Sequence, residues 1–461
     1  ISSDTWGAGK GGNVDINADN ILVDGQGKSA FISSYSHNEV LNAGNAGNVS
    51  IKANNLSVLN GGQVSSDTSG TGHGGGVDIN ADNILVDGQG KSTAISSNSI
   101  NQWIPNAGNA GTVSIKANNL RVLNSGQISS STKGTGDAGK VTVTAPIITL
   151  DNASISAEAT AQSQGQTGNV IVTADKAIYL ANNAKISMKN DATIANPSAI
   201  IPTSVTVSAP DIDLKNSSIT TEATGNVDAG NININFSHWL TMDPSFISTS
   251  ANTGNGGDIT IQGGELIYLK DSGFLTSVSG TNSNGGNINA TANYLVMDTG
   301  VIQANAVGGS GGNINLNLKA LIPSQNKLTL GGRKATWQPF KTGLNVIQAA
   351  SDNGVSGSIN VTSPQFDISA SISGLDSELL VMPMIDSSLC RSSAMLDSSL
   401  SRVGEGGIPT DESQYGFIPP VTSKNLLKTP ELNSSAENSI TPIFLANLSA
   451  KRGGAFPCAS L

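Results

Sequence analysis

The sequence predicts an all-β fold, a right-handed parallel β-helix of about 12 coils with an irregular C-terminal tail, from two observations. Hydrophobic residues recur with a period of about 28 residues, and inside each period they alternate with polar residues. The block GNVDINADNILVDGQGKSAFISS at 12–34 returns almost unchanged at 76–97, and GNAGNVSIKANNLSVLNGGQVSS at 44–66 returns at 108–130. A fixed period of this size is typical of a solenoid, in which each repeat stacks on its neighbours.

Each predicted coil begins at an apolar residue that follows a glycine-rich bend. The step from one such residue to the next is 26–29 residues or 35–36 residues until the eleventh of them. The longer steps carry their extra residues in one place, as at 34–47 and 98–111, which indicates loops inserted at one corner of a regular solenoid. The twelve starting residues are Val14, Val49, Val77, Val113, Val141, Val170, Val205, Ile232, Ile259, Ile288, Ile314 and Ile359.

Within one coil, alternation with a period of two predicts three short, half-buried strands. In the second coil these strands begin near Val49, Leu56 and Val64. Asn-Asn, Asn-Gly and Gly-Gly pairs separate them, and such pairs favour turns because asparagine and glycine tolerate positive φ. One coil therefore reads as three strands joined by tight bends, and Ile51 is predicted to point inward between valines of the neighbouring coils.

Asparagines recur at the predicted bends. Asn55, Asn119 and Asn183 are assigned to one bend, and Asn20 and Asn83 recur in the same way. Amide side chains stacked at successive turns can hydrogen-bond to the coils above and below. The role predicted for these asparagines is structural.

The repeat weakens past Ile314, and the chain divides into four predicted segments. Residues 1–318 are predicted to be β-helix, 319–345 a basic, proline-containing insertion, and 346–374 the last coil. Residues 375–461 carry seven prolines and no period, which predicts an irregular C-terminal tail. This tail could cover the last coil, whose exposed edge would otherwise pair with other chains.

Composition limits the classes of function. Charged residues are 13% and aromatic residues 4% of the chain, and the net charge is −10, from 24 basic and 34 acidic residues. A thin β-helix core needs few aromatic residues, and this composition fits a secreted exoprotein. Without a basic stripe the chain is not predicted to bind nucleic acid, and without a run of 18 apolar residues it is not predicted to span a membrane.

The coil pattern G-[GN]-x-[VI]-x-I-x-A-x-x-[IL]-x-[VL] resembles that of the filamentous-haemagglutinin-like exoproteins of two-partner secretion. The resemblance covers about residues 1–416 and is more specific over 346–416, where VIQAASDNGVSGSINVTSPQFDIS, LLVMPMIDSSLC and SSLSRVGEGGIP resemble the C-terminal ending of large members. Members of the family usually carry G-R-G-G-[LV]-P where this chain has GEGGIP at 404–409. Glu405 thus replaces the usual arginine, which puts any role of that arginine in question here.

The resemblance implies a secreted or cell-surface rod outside the Gram-negative outer membrane, with a structural or adhesive and non-catalytic function. It implies export through an outer-membrane pore of the two-partner type, and attachment to a surface receptor or polysaccharide whose identity the resemblance does not give. The N-terminal secretion domain that such a pore reads does not occur in 1–461, and residues 1–12 read as the end of a coil. The chain is therefore expected to be the C-terminal part of a longer protein.

The alternative is a carbohydrate-active β-helix enzyme, either a polysaccharide lyase or a glycoside hydrolase. Lyases of this fold need a basic residue beside acidic calcium ligands, but residues 1–320 contain one arginine, Arg121, which stands where the paired unit has Ser57. Asp211 and Asp213 point to the same side of a predicted strand, about 7 Å apart, a separation that inverting glycosidases also use. Because apolar residues alternate with them, the two aspartates are predicted to form an ordinary outward polar face.

No catalytic, cofactor-binding or metal site is predicted. The glycine-aspartate motifs at 70–80, 134–143 and 254–261 faintly resemble calcium-binding β-rolls, but they recur once per coil and not every nine residues, so they are predicted to be turns. The three histidines lie in different units without the spacing of metal ligands. They are His37, His73 and His238.

Two tryptophans and two cysteines complete the candidates. Trp103 and Trp337 lie in predicted loop insertions, where an indole can stack on a sugar, although packing beneath a loop is the prediction for both. Cys390 and Cys458 are predicted to pair if the chain is exported, closing a loop of about 68 residues worth about 4 kcal/mol of chain entropy. Two free thiols in the tail are the alternative.

Overall fold

The computed structural model describes residues 1–26, 28–37, 42–104, 106–160, 163–197, 200–331, 344–362 and 438–440. Within these residues the chain is an all-β solenoid of parallel strands with one 3-10 turn, Ser324–Asn326, so the predicted fold class is confirmed. No helix among them is long and apolar enough to cross a bilayer. Trp337, both cysteines, the 404–409 motif and all of the predicted tail except 438–440 lie outside the described residues.

One side of the solenoid is a fifteen-stranded parallel sheet, called the long sheet below. Its strands are β1 (Val14–Asp24), β3 (Val49–Leu59), β5 (Val77–Asp87), β7 (Val113–Leu123), β9 (Val141–Asp151), β11 (Val170–Ala181), β13 (Ser204–Ser208), β14 (Asp211–Lys215), β16 (Asn231–Asn235), β17 (Trp239–Asp243), β19 (Ile259–Gln262), β20 (Leu266–Lys270), β22 (Ile288–Asp298), β24 (Ile314–Pro323) and β27 (Ile359–Thr362).

The other side is a thirteen-stranded sheet, called the short sheet below. Its strands are β2 (Ala30–Ser36), β4 (Gly62–Thr68), β6 (Thr93–Ser99), β8 (Gly126–Thr132), β10 (Ser154–Ala159), β12 (Lys185–Asn190), β15 (Ser218–Ala223), β18 (Phe246–Ala251), β21 (Gly273–Val278), β23 (Val301–Ala306), β25 (Leu328–Leu330), β26 (Val346–Gln348) and β28 (Asn438–Ile440).

Successive strands of the long sheet pair in the register that the repeat predicts. Val14 pairs with Val49, Val49 with Val77, and Val77 with Val113, and the column continues through all the predicted coil starts to Ile359. We number the rungs 1–12 along this column. At about 4.8 Å per rung, the eleven steps span roughly 50 Å.

The core is a thin stack of aliphatic side chains between the two sheets. Ile51 is 2% exposed, so its predicted inward orientation is confirmed. The prediction of valine neighbours is wrong, because Ile51 lies between Ile16 and Ile79. Each inward column holds an apolar side chain at most rungs, although its size varies, as in the Ile51 column, which continues with Val143 and Ala290. Burial of these columns supplies the hydrophobic stabilisation, and each rung receives it from its two neighbours.

The first of the two predicted bends within a coil does not interrupt the long sheet in most rungs. β3 runs as one strand through Leu56, where the sequence predicts a separate strand. The burial alternation changes phase at Asn54 and Asn55, which are both exposed, so the strand bends there while pairing continues on both sides. Only in rungs 7–9 of the described chain is the strand divided in two, as into β13 and β14.

In several rungs, the turn that joins the long sheet to the short sheet contains an asparagine with a left-handed backbone conformation. Asparagine adopts this conformation more readily than most residues. Asn183, with φ of 67°, belongs to this turn. Its assignment to the bend of Asn55 and Asn119 is therefore wrong, and Ala177 occupies that column in rung 6. The asparagines with φ between 47° and 54° in this turn are Asn60, Asn124, Asn152, Asn182 and Asn216.

The segment predicted as an insertion contributes strands to both sheets. β24 extends to Pro323 and pairs with β22 along its length, so residues 319–323 belong to the long sheet. β26 pairs with β23 on one side and with β25 on the other, although β25 comes earlier in the chain. β25 thus covers the outer edge of β26, and β28 pairs with β25 antiparallel.

Candidate ligand-binding groove

The residue that directly follows each short-sheet strand occupies one column on the side of the solenoid. In rungs 1–4 this residue is His37, Ser69, Ile100 and Lys133. Its backbone N–H donates to the carbonyl that ends the strand one rung earlier, as Ile100 does to Thr68 at 2.9 Å. The ladder therefore fixes four chemically different side chains in a row, at intervals of about 4.8 Å.

An aromatic stack begins this row. Residues 2–5 bridge to β2, which places Trp6 one rung before His37. The rings of Trp6 and His37 are parallel within 6°, with centroids 4.1 Å apart, and the Tyr35 ring lies 3.9 Å from the His37 ring at a tilt of 32°. Asp4 Oδ2 lies 3.5 Å from His37 Nε2. Because rung spacing is close to stacking distance, the ladder itself positions the rings.

Trp103 lies beside the same row, in the loop that follows β6. The backbone N–H of Trp103 donates a hydrogen bond of 2.9 Å to Oδ1 of Asn101, which stabilises the turn in this loop. The side chain is 82% exposed, so the prediction that Trp103 packs beneath a loop is wrong. Trp6 is 75% exposed. Large exposed indoles are costly to leave in water, and they mark interaction sites more often than plain surface.

These side chains line one open groove, which encloses about 1290 Å³ including the solvent at its open side. The groove offers aromatic faces, an aliphatic surface, amide and hydroxyl groups and one lysine. Such a set can pack against the apolar face of a ligand ring and hydrogen-bond to its edge. The lining residues are Trp6, Tyr35, His37, Ser69, Ile100, Asn101, Gln102, Trp103 and Lys133.

A titrating carboxyl lies next to the groove. Asp67 is paired in register with Tyr35 of the preceding rung. Burial raises the pKa of the Asp67 carboxyl to about 6. Hydrogen bonds from the Ser65 side chain and from the backbone N–H of Asn98, which lies 2.7 Å from Oδ1, lower the pKa by less than burial raises it. The charge beside the groove therefore changes in mildly acidic solution.

The two aspartates considered as glycosidase carboxylates lie on the outer face of β14, and the residues that alternate with them are buried. Asp211 Oδ1 is 3.3 Å from Nδ1 of His238. Asp213 Oδ2 is 3.1 Å from Nζ of Lys215, and its Oδ1 accepts a hydrogen bond of 2.7 Å from Thr241 Oγ1. Asp213 therefore has a lysine and a threonine as partners, whereas Asp211 Oδ1 is buried and accepts no hydrogen bond, although His238 lies beside it.

The glycine-rich bends form a hydrogen-bonded ladder. The N–H of His73 donates to Asn45 Oδ1 in the preceding rung, and the N–H of Asn109 donates to Nδ1 of His73, both at 2.9 Å. The glycines allow backbones to approach closely, because a methyl group at Gly75 would overlap the carbonyl oxygen of Gly47. Within the described residues, no three His, Cys, Asp or Glu side chains lie close enough together to hold a metal ion.

The predicted amide ladder is present on the outer face of the long sheet. Asn55 Nδ2 donates to Asn20 Oδ1 at 2.7 Å, and Asn83 Nδ2 donates to Asn55 Oδ1 at 3.0 Å. Arg121 is exposed two residues from the next member of this column, Asn119. The ladder connects successive rungs, as expected for a structural role.

Comparisons of the chain with protein-family models, with curated proteins and with solved structures found no match. The functional argument therefore rests on the fold and on the groove. Sequence reasoning had singled out Trp103, had considered His37 only as a metal ligand, and had missed Trp6 and Lys133. The signal for His37 and Lys133 is their common position, directly after the second strand of a coil.

Proposed function

We propose that this protein is a secreted or surface-exposed, non-catalytic β-solenoid rod that attaches to a surface receptor or polysaccharide, in the manner of a haemagglutinin-like adhesin. The observation that carries the proposal is the pair of exposed indoles, Trp6 and Trp103, in one open groove. Tryptophan is the residue type most enriched among those that dominate binding energy at interfaces.

The way in which the groove is built supports a binding role. Trp6 and His37 are held in place by the ladder and by each other, so little conformational freedom remains to be lost when a ligand binds. Lys133 adds a charge that can orient a polar ligand. Preorganised aromatic surface of this kind raises affinity without a deep pocket.

Export through an outer-membrane pore of the two-partner type belongs to the same proposal. Each coil stacks on its neighbour, so folding can propagate rung by rung while the chain emerges from a pore. Determining the complete sequence of the gene that encodes this chain tests this route. The expected finding is a signal peptide followed by a haemagglutinin-type secretion domain, and a cytoplasmic enzyme domain in that place would contradict it.

Adhesion is tested with beads coated with the purified protein and applied to bacterial cells, to animal cells and to polysaccharide-coated surfaces. Trp6→Ala and Trp103→Ala are each expected to weaken attachment about tenfold, since the loss of one anchoring indole costs more than 1 kcal/mol. Tyr179→Ala, an exposed ring outside the groove, is the matched control. Equal attachment by all variants would show that the groove is not the adhesive site.

The enzyme alternative is tested on the same preparation. The protein is incubated with acidic and neutral polysaccharides, and new reducing ends and unsaturated sugars are measured. No product is expected. Release of product that Asp211→Asn and Asp213→Asn abolish would replace the adhesive rod with a carbohydrate-active enzyme.

A further inference from the structure

The outer face of the long sheet changes its chemistry along the solenoid. The column that holds asparagines in rungs 1–4 holds aromatic and aliphatic residues in rungs 8–11. The residues of that column and of the one beside it, together called the aromatic strip, are Trp239, Leu266, Tyr294 and Ala320, and Thr241, Tyr268, Val296 and Ile322.

The side chains of the aromatic strip point away from the core. The residues that alternate with them, such as Leu240 and Leu295, are fully buried, so the strip residues must face outward. Trp239 is 52% exposed and Tyr294 is 45% exposed, while Tyr268 is half-buried between them. In a chain with 4% aromatic residues, three rings in three successive rungs form a distinct apolar patch.

The rungs arrange these rings in a line. Trp239 and Tyr294 are two rungs apart in one column, or about 10 Å along the axis, and Tyr268 lies in the intervening rung of the next column. The rings therefore follow the solenoid axis at intervals comparable with the length of one sugar unit. A linear ligand can contact them in succession.

Polar groups border the aromatic strip, and two of the carboxylates, Asp243 and Asp213, are paired with lysines. Lys270 Nζ donates to Asp243 Oδ2 at 2.9 Å, and Thr241 Oγ1 donates to Asp213. Burial, followed by the charge of Asp298, raises the pKa of the Tyr268 phenol, which therefore stays protonated and able to donate near neutral pH. Among the residues that the structure describes, Asp298 has no such lysine and leaves an excess of negative charge, so the border offers hydrogen bonds to an uncharged, hydroxyl-rich ligand and disfavours an acidic one.

The aromatic strip is small compared with the interface of a stable protein complex. Four rungs and two columns cover about 20 Å by 10 Å, or roughly 200 Å². A stable interface between proteins, including one with a second copy of this chain, buries about 800 Å² on each partner. A narrow strip of this length fits a single polymer chain.

We propose that the aromatic strip binds a neutral, linear polysaccharide that lies along the solenoid axis, with its sugar rings packed on Trp239, Tyr268 and Tyr294. The C–H faces of the sugar rings cover the aromatic rings, and the hydroxyl edges hydrogen-bond to the polar border. The strip lies on the long sheet in rungs 8–11, and the groove lies in rungs 1–4. This proposal therefore does not depend on the function assigned to the groove.

The test is calorimetric titration of the full chain with hexasaccharides of β-1,4-linked glucose, xylose and mannose, and with an acidic oligogalacturonate. At least one neutral hexasaccharide is expected to bind. Trp239→Ala and Tyr294→Ala should each weaken that binding about tenfold, and Trp239→Phe should retain most of it. Tyr179→Ala, on the same sheet face in rung 6, and Trp103→Ala, in the groove, are matched controls that should bind like the parent chain.

Several results would overturn the proposal. These are no binding of any neutral hexasaccharide, binding of the oligogalacturonate alone, and an equal loss of affinity in Tyr179→Ala. A loss of glycan affinity in Trp103→Ala alone would mean that the glycan binds in the groove. That result would support the adhesive function and would contradict glycan binding at the aromatic strip. Dimerisation that Trp239→Ala abolishes, or faster proteolysis of residues 363–437 in that variant without glycan binding, would show a different occupant.

Discussion

Rungs 2–4 and rungs 8–10 share an aliphatic inward column and have opposite exteriors. Ile51 and Ile234 occupy the same inward column and are both almost completely buried. On the outer face, Asn55 bonds to its neighbours through its amide, whereas Trp239, in the equivalent column, exposes half of its indole. The interior is fixed by stacking, while the exterior is free to vary between rungs.

The difference indicates what the outer face does in each region. In an amide ladder, the side-chain amides hydrogen-bond to one another and so connect successive rungs. Because these polar groups are already paired and little apolar surface is exposed, such a ladder offers few contacts to a partner. A row of exposed rings adds only the modest stabilisation of cross-strand side-chain pairs, and it leaves apolar surface in contact with water. Apolar surface on an outward column therefore indicates binding, and the same surface on an inward column indicates only the fold.

The largest expected effect comes from charging the shared interior. Ile51→Asp and Ile234→Asp each bury a carboxylate without a partner, which should cost several kcal/mol. Because rungs interact only with their neighbours, the damage should stay local in both regions. Limited proteolysis should cut near 40–80 in the first variant and near 220–260 in the second, with distant rungs protected. Uniform unfolding of the solenoid would break the comparison.

A smaller effect is expected at the glycine ladder that both regions share. A methyl group at Gly75 or at Gly257 would overlap the carbonyl oxygen of the glycine one rung earlier. Gly75→Ala and Gly257→Ala should each cost about 3 kcal/mol, because the backbone must move apart. Gly76→Ala is the matched control, since its methyl group would lie 3.5 Å from its nearest neighbour. Denaturant unfolding measures the three variants, and equal stability of Gly75→Ala and Gly76→Ala would disprove close packing.

Removal of a buried hydroxyl should destabilise the first region more than the second. Ser97 Oγ accepts from the N–H of Gly111 at 2.8 Å and also donates to a carbonyl, whereas Thr249 Oγ1 donates to Gly257 at 2.7 Å. Ser97→Ala leaves an N–H unpaired and should cost about 2 kcal/mol, and Thr249→Val about 1 kcal/mol. Ser99→Ala is the control, because Ser99 Oγ is buried without a hydrogen-bond partner and its loss should be neutral. Hydrogen exchange in β6 and β18 reports all three.

The repeat could be predicted from sequence because the inward columns permit little variation. Val14 and Val49 are aligned by the glycine before them and by the alternation after them, and the structure pairs them. The alignment failed at Asn183 because asparagines recur at two places in several coils, at the bend within the long strand and at the turn that follows it. Asn183 lies in the turn, six residues after Ala177, which occupies the column of Asn55 and Asn119. Hydrophobic patterning alone does not distinguish these two asparagine positions.

The groove and the order of the last strands depend on contacts that the repeat does not contain. Trp6 and His37 are 31 residues apart in sequence, and they meet only because residues 2–5 add a partial rung before β2. β25 precedes β26 in the chain and lies beyond it in the sheet.

The exposure of Trp103 depends on the conformation of one loop, for which a single sequence has no periodic signal.

The smallest expected effect is a pH dependence confined to the first region, at Asp67. Its folded pKa of about 6 lies above the ordinary 3.8, so the folded state holds the proton more tightly than the unfolded chain does. The destabilisation by Asp67 is therefore absent below about pH 4, grows as the pH rises to about 6, and is fully present above that. The equivalent position in rung 8 is Ser250, which cannot titrate in this range.

Asp67→Asn removes this charge and keeps an oxygen that can accept the Asn98 N–H. At pH 7.5 the variant should be more stable by on the order of 1 kcal/mol, and the gain should disappear at pH 4. Hydrogen exchange of β4 measured from pH 4 to pH 8 follows the change, and Asp78→Asn, at an exposed site, is the control that should stay level. A gain that is constant across this range would mean that the substitution acts through packing. A gain that grows with pH, and that β18 does not share, would confine the pH response to the rungs that build the groove.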